Sequence, residues 1–126
     1  MRKEIVSIPG ETPARHLSRA VRFGNLVFVA GTTGRNPVTK EMPEDIQGQT
    51  KQALETIKGA LAGAGASMQD VLKMTCYISD LGEKKGFDEV YISYFPSDPP
   101  ARATVQVASL GPGVKIEIET IAGIPS

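Results

Sequence analysis

The side chains best suited to chemistry lie near the C-terminus, in Arg102-Ala103-Thr104-Val105-Gln106-Val107 and Val114-Lys115-Ile116-Glu117-Ile118-Glu119. Successive side chains of a strand point to opposite faces, so Arg102, Thr104 and Gln106 share one side of the first segment and Lys115, Glu117 and Glu119 one side of the second. The turn-rich Ala108-Ser109-Leu110-Gly111-Pro112-Gly113 between them predicts a simple antiparallel return, with Val107 opposite Val114, Thr104 opposite Glu117 and Arg102 opposite Glu119. That register gathers an arginine, a hydroxyl and two carboxylates on one patch, with Glu117 and Glu119 roughly 6 to 7 Å apart. A guanidinium so placed can grip a carboxylate ligand through two parallel hydrogen bonds while a neighbouring glutamate holds a water. The same pattern also fits a solvated sheet face whose rim ion pair contributes ~0.5 kcal/mol.

Other reactive residue types are sparse. Cys76 is the only cysteine, which excludes an internal disulfide and a cysteine-rich zinc site. It shares the parity of Leu72, Met74 and Ile78 in a strand-like run and reads as a buried, inert thiol. His16 is the only histidine, too few for a histidine-based zinc site, and reads as a loop or surface residue or as a wall of a site. Gly31-Thr32-Thr33-Gly34 lacks the lysine and spacing of a phosphate-binding loop and reads as a strand-ending turn that lines a cleft. Glu119 is a salt-bridge candidate for Arg102 or for a neighbouring chain.

The 126 residues are of single-domain size, 1–126, with 40% hydrophobic and 22% charged residues, as in an ordinary soluble globule. Fourteen basic side chains balance fourteen acidic ones and no basic run exceeds Lys84-Lys85, so no nucleic-acid partner is expected. The opening Met1-Arg2-Lys3-Glu4-Ile5-Val6 lacks the apolar core of a signal peptide and no stretch approaches a membrane span, which predicts a cytoplasmic protein with no membrane partner.

The elements that must position these residues are readable from period and punctuation. A short strand near Lys3 to Ser7 precedes an irregular loop, and Arg19 to Phe23 and Leu26 to Ala30 flank Gly24-Asn25 as a β-hairpin. Pro43 suits the first turn of a helix in which Ile46, Thr50, Ala53, Ile57, Leu61 and Ala64 recur at steps of three and four, with Gly65 as the stop. A strand over Val71 to Ser79 follows, opened by a local cap from Ser67 and Asp70. A second helix from Lys84 to Phe95 carries Phe87, Val90, Tyr91 and Tyr94 or Phe95 on its apolar stripe and ends at Pro96, Pro99 and Pro100. The order predicts an α+β layer with two helices on one face of a mixed sheet. The other face is expected to carry Arg102 and Glu117 beside Val27 and Val29, an awkward mixture that association would cover.

Pro99-Pro100-Ala101-Arg102-Ala103-Thr104-Val105-Gln106-Val107 with Val114 to Ala122 closely resembles the C-terminal signature of the Rid/YjgF superfamily. Ala20 to Gly31 is similar to that family's first hairpin, Gln49 to Gly65 to its long helix, and Tyr91-Ile92-Ser93-Tyr94-Phe95 to its second. The resemblance runs in order over nearly the whole chain. It implies a chorismate-mutase-like fold and a homotrimer around a central β-barrel, with sites in the clefts between subunits and neither metal nor organic cofactor. It also implies an enamine/imine deaminase that hydrolyses 2-aminoacrylate and 2-imino acids to 2-keto acids and ammonium. Arg102 matches the arginine that holds the substrate carboxylate, Glu117 the acidic residue associated with the attacking water, and Gly31 the strand end that offers backbone groups to the ligand. Thr104, Leu17 and Tyr91 fall at further substrate-binding positions, Tyr91 also being a helix-packing residue that reaches towards a subunit interface.

The chain departs from many deaminase members in having Leu17 for a tyrosine, Ala30 for a serine, Thr104 for cysteine or serine, and Asp88 near an asparagine. These changes leave the carboxylate clamp intact and alter the wall that reads the substrate side chain. Two other readings stay open beside the general deaminase: a specialised one, such as a 2-aminomuconate deaminase, and a non-catalytic ligand-binding or holdase protein. The ribonuclease label that circulates in the family is disfavoured by the charge balance and by the lack of an evident acid/base pair for phosphodiester cleavage.

Overall fold

A computed structural model describes residues 2–125. Its strands are β1 (Glu4–Val6), β2 (Ala20–Phe23), β3 (Leu26–Thr33), β4 (Val71–Ile78), β5 (Ala101–Gln106) and β6 (Ile116–Gly123), and its helices α1 (Ile46–Gly63) and α2 (Lys84–Ser93). The strands form one sheet in the order β1-β2-β3-β6-β4-β5. Every pairing is antiparallel except that of β4 with β5, which is parallel and closed by α2 as the crossover.

α1 starts where Asp45 accepts a hydrogen bond from the Gly48 amide at 3.1 Å, so Asp45 caps the helix and Pro43 lies outside it rather than in its first turn. The helix ends in a paired reverse bond, with the Ala66 amide donating to Leu61 and the Gly65 amide to Ala62. This closure needs the left-handed backbone that Gly65 adopts at φ +87°. Leu54, Ile57 and Leu61 of α1 and Phe87 and Tyr91 of α2 pack on Val27, Val29, Met74, Cys76, Ile78, Ile116 and Ile118 to form the core. Val27 and Val29 therefore belong to the helix-covered face, a correction to their expected place, and Leu26 and Phe28 are the apolar residues that β3 exposes on the other face. Alternation holds on β3 from Leu26 to Val29; the sign of its faces does not follow from the hairpin alone.

The expected pairing of the two C-terminal segments does not form. β6 enters between β3 and β4, placing Glu117 opposite Thr33 and Tyr77 and Glu119 opposite Thr75, whereas β5 lies beyond β4 at the sheet edge with Arg102 beside Met74 and Thr104 beside Cys76. The connecting chain is pinned around the end of β4: Val107 donates to the Ile78 carbonyl and Ser79 to the Lys115 carbonyl, both at 3.0 Å. The buried Gln49 side chain fixes the same loop to α1, donating to Gly113 O at 2.8 Å and accepting from the Lys115 amide at 2.8 Å. Two ladders for β6 and a shared buried row replace the single ladder that a hairpin would offer.

Candidate active site

β5 and α2 build the first half of the candidate site. Arg102 and Thr104 share the face of the buried Met74 and Cys76, so both side chains turn beneath α2. The Arg102 guanidinium lies over the Tyr91 ring at 4.7 Å from its centroid and near Phe87 at 5.7 Å, while Phe87 and Tyr91 pack against each other at 5.7 Å. At its edge, Nη1 donates to Asp88 Oδ1 at 2.7 Å, and Asp88 Oδ2 accepts from Lys84 Nζ at 2.7 Å one turn earlier on the same helix. The Arg102 side chain retains 23% exposure, so it is held yet reachable.

Electrostatics around this cluster follows its packing. Burial pushes Asp88 up, but the hydrogen bonds and charges of Lys84 and Arg102 outweigh it and hold the carboxyl below its ordinary value. Cys76 is pushed up to about 12, chiefly by burial, with Arg102 pulling the other way; the buried thiol is protonated and inert as expected. Burial likewise raises the Tyr91 phenol to about 12. Two buried hydroxyls beside the arginine, Tyr91 Oη and Thr104 Oγ1, have no hydrogen-bond partner among the described residues. Such groups are costly when unpaired and suited to a ligand.

The second half lies on β3 and β6. Glu117 occupies the uncovered face and folds its carboxyl group against the backbone of Gly31, where a β-bulge between Val29 and Thr32 interrupts the pairing with β6. A Cβ on Gly31 would fall 3.1 Å from Glu117 Cδ and closer still to Oε2, so glycine is what admits the glutamate there. Gly31 also opens onto a surface cleft with Arg19, Thr33 and Arg35. Arg19 ties the preceding loop to β3, donating to Glu11 Oε2 at 2.6 Å and to Thr32 Oγ1 at 3.2 Å. Leu17, two residues earlier, is about half exposed and lines a shallow cavity with Ile5, Pro13 and Arg19.

Arg102, Thr104 and Tyr91 thus form one group and Glu117 and Gly31 another, with Leu17 on the loop adjoining the second. The single patch expected from a hairpin is corrected to two half-sites on opposite faces of the sheet. Glu119 accepts from Tyr77 Oη at 2.9 Å and does not pair with Arg102. Asp88, Lys84 and Phe87 escaped the sequence reading as neighbours of Arg102. The available signal was the i,i+4 spacing of Lys84 and Asp88 beside the Phe87/Tyr91 stripe, which shows a helix-surface pair but not the strand that meets it. Among the described residues, no group of three or more His, Cys, Asp and Glu side chains stands close enough to hold a metal ion. None of the described helices is long and apolar enough to cross a membrane.

The architecture is that of an α+β protein with two helices on one face of a mixed sheet and a semi-buried arginine beneath one of them. Residues 9–124 match the family described as Endoribonuclease L-PSP, and the chain belongs to this family, the YjgF/Rid family. It is 42% identical to a RutC family protein of Pyrococcus abyssi over 97% of this chain and 98% of that protein. It is 41% identical to the chloroplastic Reactive Intermediate Deaminase A of Arabidopsis thaliana over 97% of this chain and 66% of that longer protein. Among solved structures, Escherichia coli TdcF with bound serine superposes with a TM-score of 0.89 at 35% identity, covering 97% of this chain and 99% of that one.

Proposed function

We infer that the protein is an enamine/imine deaminase, hydrolysing 2-aminoacrylate and related 2-imino acids to 2-keto acids and ammonium in clefts between the subunits of a homotrimer. The observation that carries the reading is the Arg102 guanidinium, stacked on Tyr91 and fixed by Asp88 while its remaining donors stay available to a carboxylate. Identity to Reactive Intermediate Deaminase A supports the reaction class, and the serine bound to TdcF supports a small carboxylate-bearing ligand.

Assembly completes the site. Leu26 and Phe28 of β3 and Val105 of β5 are exposed on the uncovered sheet face, where a second and third copy would bury them. In this arrangement Arg102, Thr104 and Tyr91 of one subunit meet Gly31, Glu117 and the Leu17 loop of the next.

The chemistry asks little beyond placement. 2-Aminoacrylate takes a proton from solvent at C3 to become its 2-imino form, and a protonated imine carbon is already electrophilic, so orientation and a delivered water supply much of the acceleration. Arg102 neutralises and orients the carboxylate. Glu117 takes a proton from water as its oxygen bonds to C2 and the C=N electron pair moves to nitrogen, giving a carbinolamine. Return of that proton to nitrogen makes an ammonio group; Glu117 then takes the hydroxyl proton as the C2–N bond breaks and the C2 carbonyl forms, and the departing ammonia picks up that proton and leaves as ammonium. Thr104 and Tyr91 place hydroxyls beside the carboxylate end, and no metal or organic cofactor takes part.

The test is to generate 2-aminoacrylate with a serine dehydratase and follow pyruvate or ammonia release above the uncatalysed background. Wild type is expected to accelerate release, with Arg102→Ala lowering it roughly a hundredfold or more. Arg102→Lys is expected to be poor too, since an ammonium cannot reproduce the planar grip. Rates for wild type equal to those without protein reject this deaminase assignment. Retained affinity for serine in that case would favour a ligand-binding role, the alternative suggested by the serine in TdcF.

A further inference from the structure

Asp88 has both carboxylate oxygens committed, Oδ1 to Arg102 Nη1 and Oδ2 to Lys84 Nζ, each at 2.7 Å. An aspartate against an arginine that must bind an anion is a competitor: the isolated Arg102–Asp88 pair is neutral and would hold a second carboxylate weakly. Lys84 changes that sum. The three side chains together carry one net positive charge, matched to a monoanion. The geometry is complementary as well. Asp88 occupies Nη1, and Nε and Nη2, the two donors on the opposite side of the guanidinium, make no hydrogen bond to a described residue. Tyr91 lies against the guanidinium, so the free fork is held in one orientation by an aromatic face and an ionic edge.

We propose that Asp88 is a positioning residue that locks Arg102 with its Nε/Nη2 fork open, and that Lys84 supplies the counter-charge that keeps this locked arginine attractive to monocarboxylates. The proposal deepens the deaminase reading, from which it takes the carboxylate ligand. It assigns to Lys84, a half-exposed residue that need not touch substrate, a share of the binding. Asp88 and Lys84 have separable effects: the first sets the direction of the fork, the second the charge of the trio.

The separation can be read without turnover. In the free protein, the ¹⁵N-edited Arg102 side-chain signals report restricted rotation of the guanidinium. Wild type and Lys84→Met are expected to show slow rotation and Asp88→Ala fast averaging, whereas Asp88→Asn keeps an acceptor and stays restricted. Fast averaging in wild type, or no change in Asp88→Ala, overturns the positioning role whether or not the protein is a deaminase. Affinity is then measured calorimetrically with 2-oxobutyrate, a stable 2-keto acid. Lys84→Met is expected to weaken binding roughly two- to fivefold at low ionic strength, the size of one added charge acting through partly exposed surroundings, with the difference shrinking in 0.5 M salt. Asp88→Asn is expected to tighten it. Equal affinities for wild type and Lys84→Met at low salt overturn the counter-charge role. Failure of wild type to bind 2-oxobutyrate, with Arg102 still restricted, instead counts against the carboxylate-ligand reading and removes the counter-charge role with it.

Discussion

Arg102 and Glu117 face opposite sides of one sheet, with β4 running between their strands: Arg102 is level with Met74 on the helix-covered side and Glu117 with Tyr77 on the uncovered side. One chain therefore does not bring this guanidinium and this carboxylate together. If they act in one site, they come from different copies.

This predicts complementation. Arg102→Ala and Glu117→Gln should each be inactive alone, yet co-expressed or refolded together they should recover activity, because some interfaces combine an intact Arg102 half with an intact Glu117 half. Random mixing in the proposed ring of three leaves about one interface in four with both groups, so recovery to roughly a quarter of wild-type turnover is expected. Absence of any recovery in mixed oligomers confirmed by mass spectrometry would exclude a site shared in this way.

Gly31 separates stability from activity. Its φ lies outside the left-handed region, so alanine is allowed by the backbone, and the obstacle is the far end of the Glu117 side chain. Gly31→Ala should displace that carboxyl group while changing unfolding free energy by no more than about 1 kcal/mol, since reduced freedom of the unfolded chain offsets the crowding. Activity should fall at least tenfold with the melting temperature nearly unchanged. A fully active Gly31→Ala enzyme would show that the glutamate does not need its place against β3.

How far the sequence was informative depended on the range of the interaction. The α1 period, its Gly65 stop and the Ser67/Asp70 cap are local, and each was legible; the Ser67 amide donates to Asp70 Oδ2 at 2.8 Å. Shared parity within β5 and within β6 was legible for the same reason. Their relation was not, because β6 takes its partners from β3 and β4 and leaves β5 to a parallel crossover, so the faces of the two strands combine with opposite sign. The Asp88–Arg102 contact joins a helix to a strand, and no spacing rule reports it.

The orphaned Tyr91 hydroxyl yields a second separation. Removing a buried donor that has no partner among the described residues relieves an unfavourable burial, so Tyr91→Phe should leave stability unchanged or raise it by up to about 1 kcal/mol. If that hydroxyl meets ligand or a neighbouring copy, affinity for 2-oxobutyrate or the stability of the proposed trimer should fall while the ring continues to support Arg102. A variant that loses stability as a monomer would mean that the hydroxyl is satisfied within the chain.

Alkaline pH should unfold the protein through its interior. Cys76 rises from 9.0 to about 12 and Tyr91 from 10.0 to about 12 on folding, in both cases chiefly through burial. The folded state therefore keeps protons that the unfolded chain releases, so this contribution to stability is complete below about pH 9 and is lost as pH climbs towards 12. Denaturant midpoints should fall between pH 9 and 11, and Cys76→Ala should flatten that slope even though its midpoint near pH 7 is lower, because the cavity it leaves is independent of pH. The same burial predicts that a thiol reagent labels Cys76 only as fast as the protein unfolds. Rapid stoichiometric labelling of the native protein at pH 8, or an unchanged slope in Cys76→Ala, would place the sulfur in a far wetter setting than the space beneath α2 beside Met74 and Ile118.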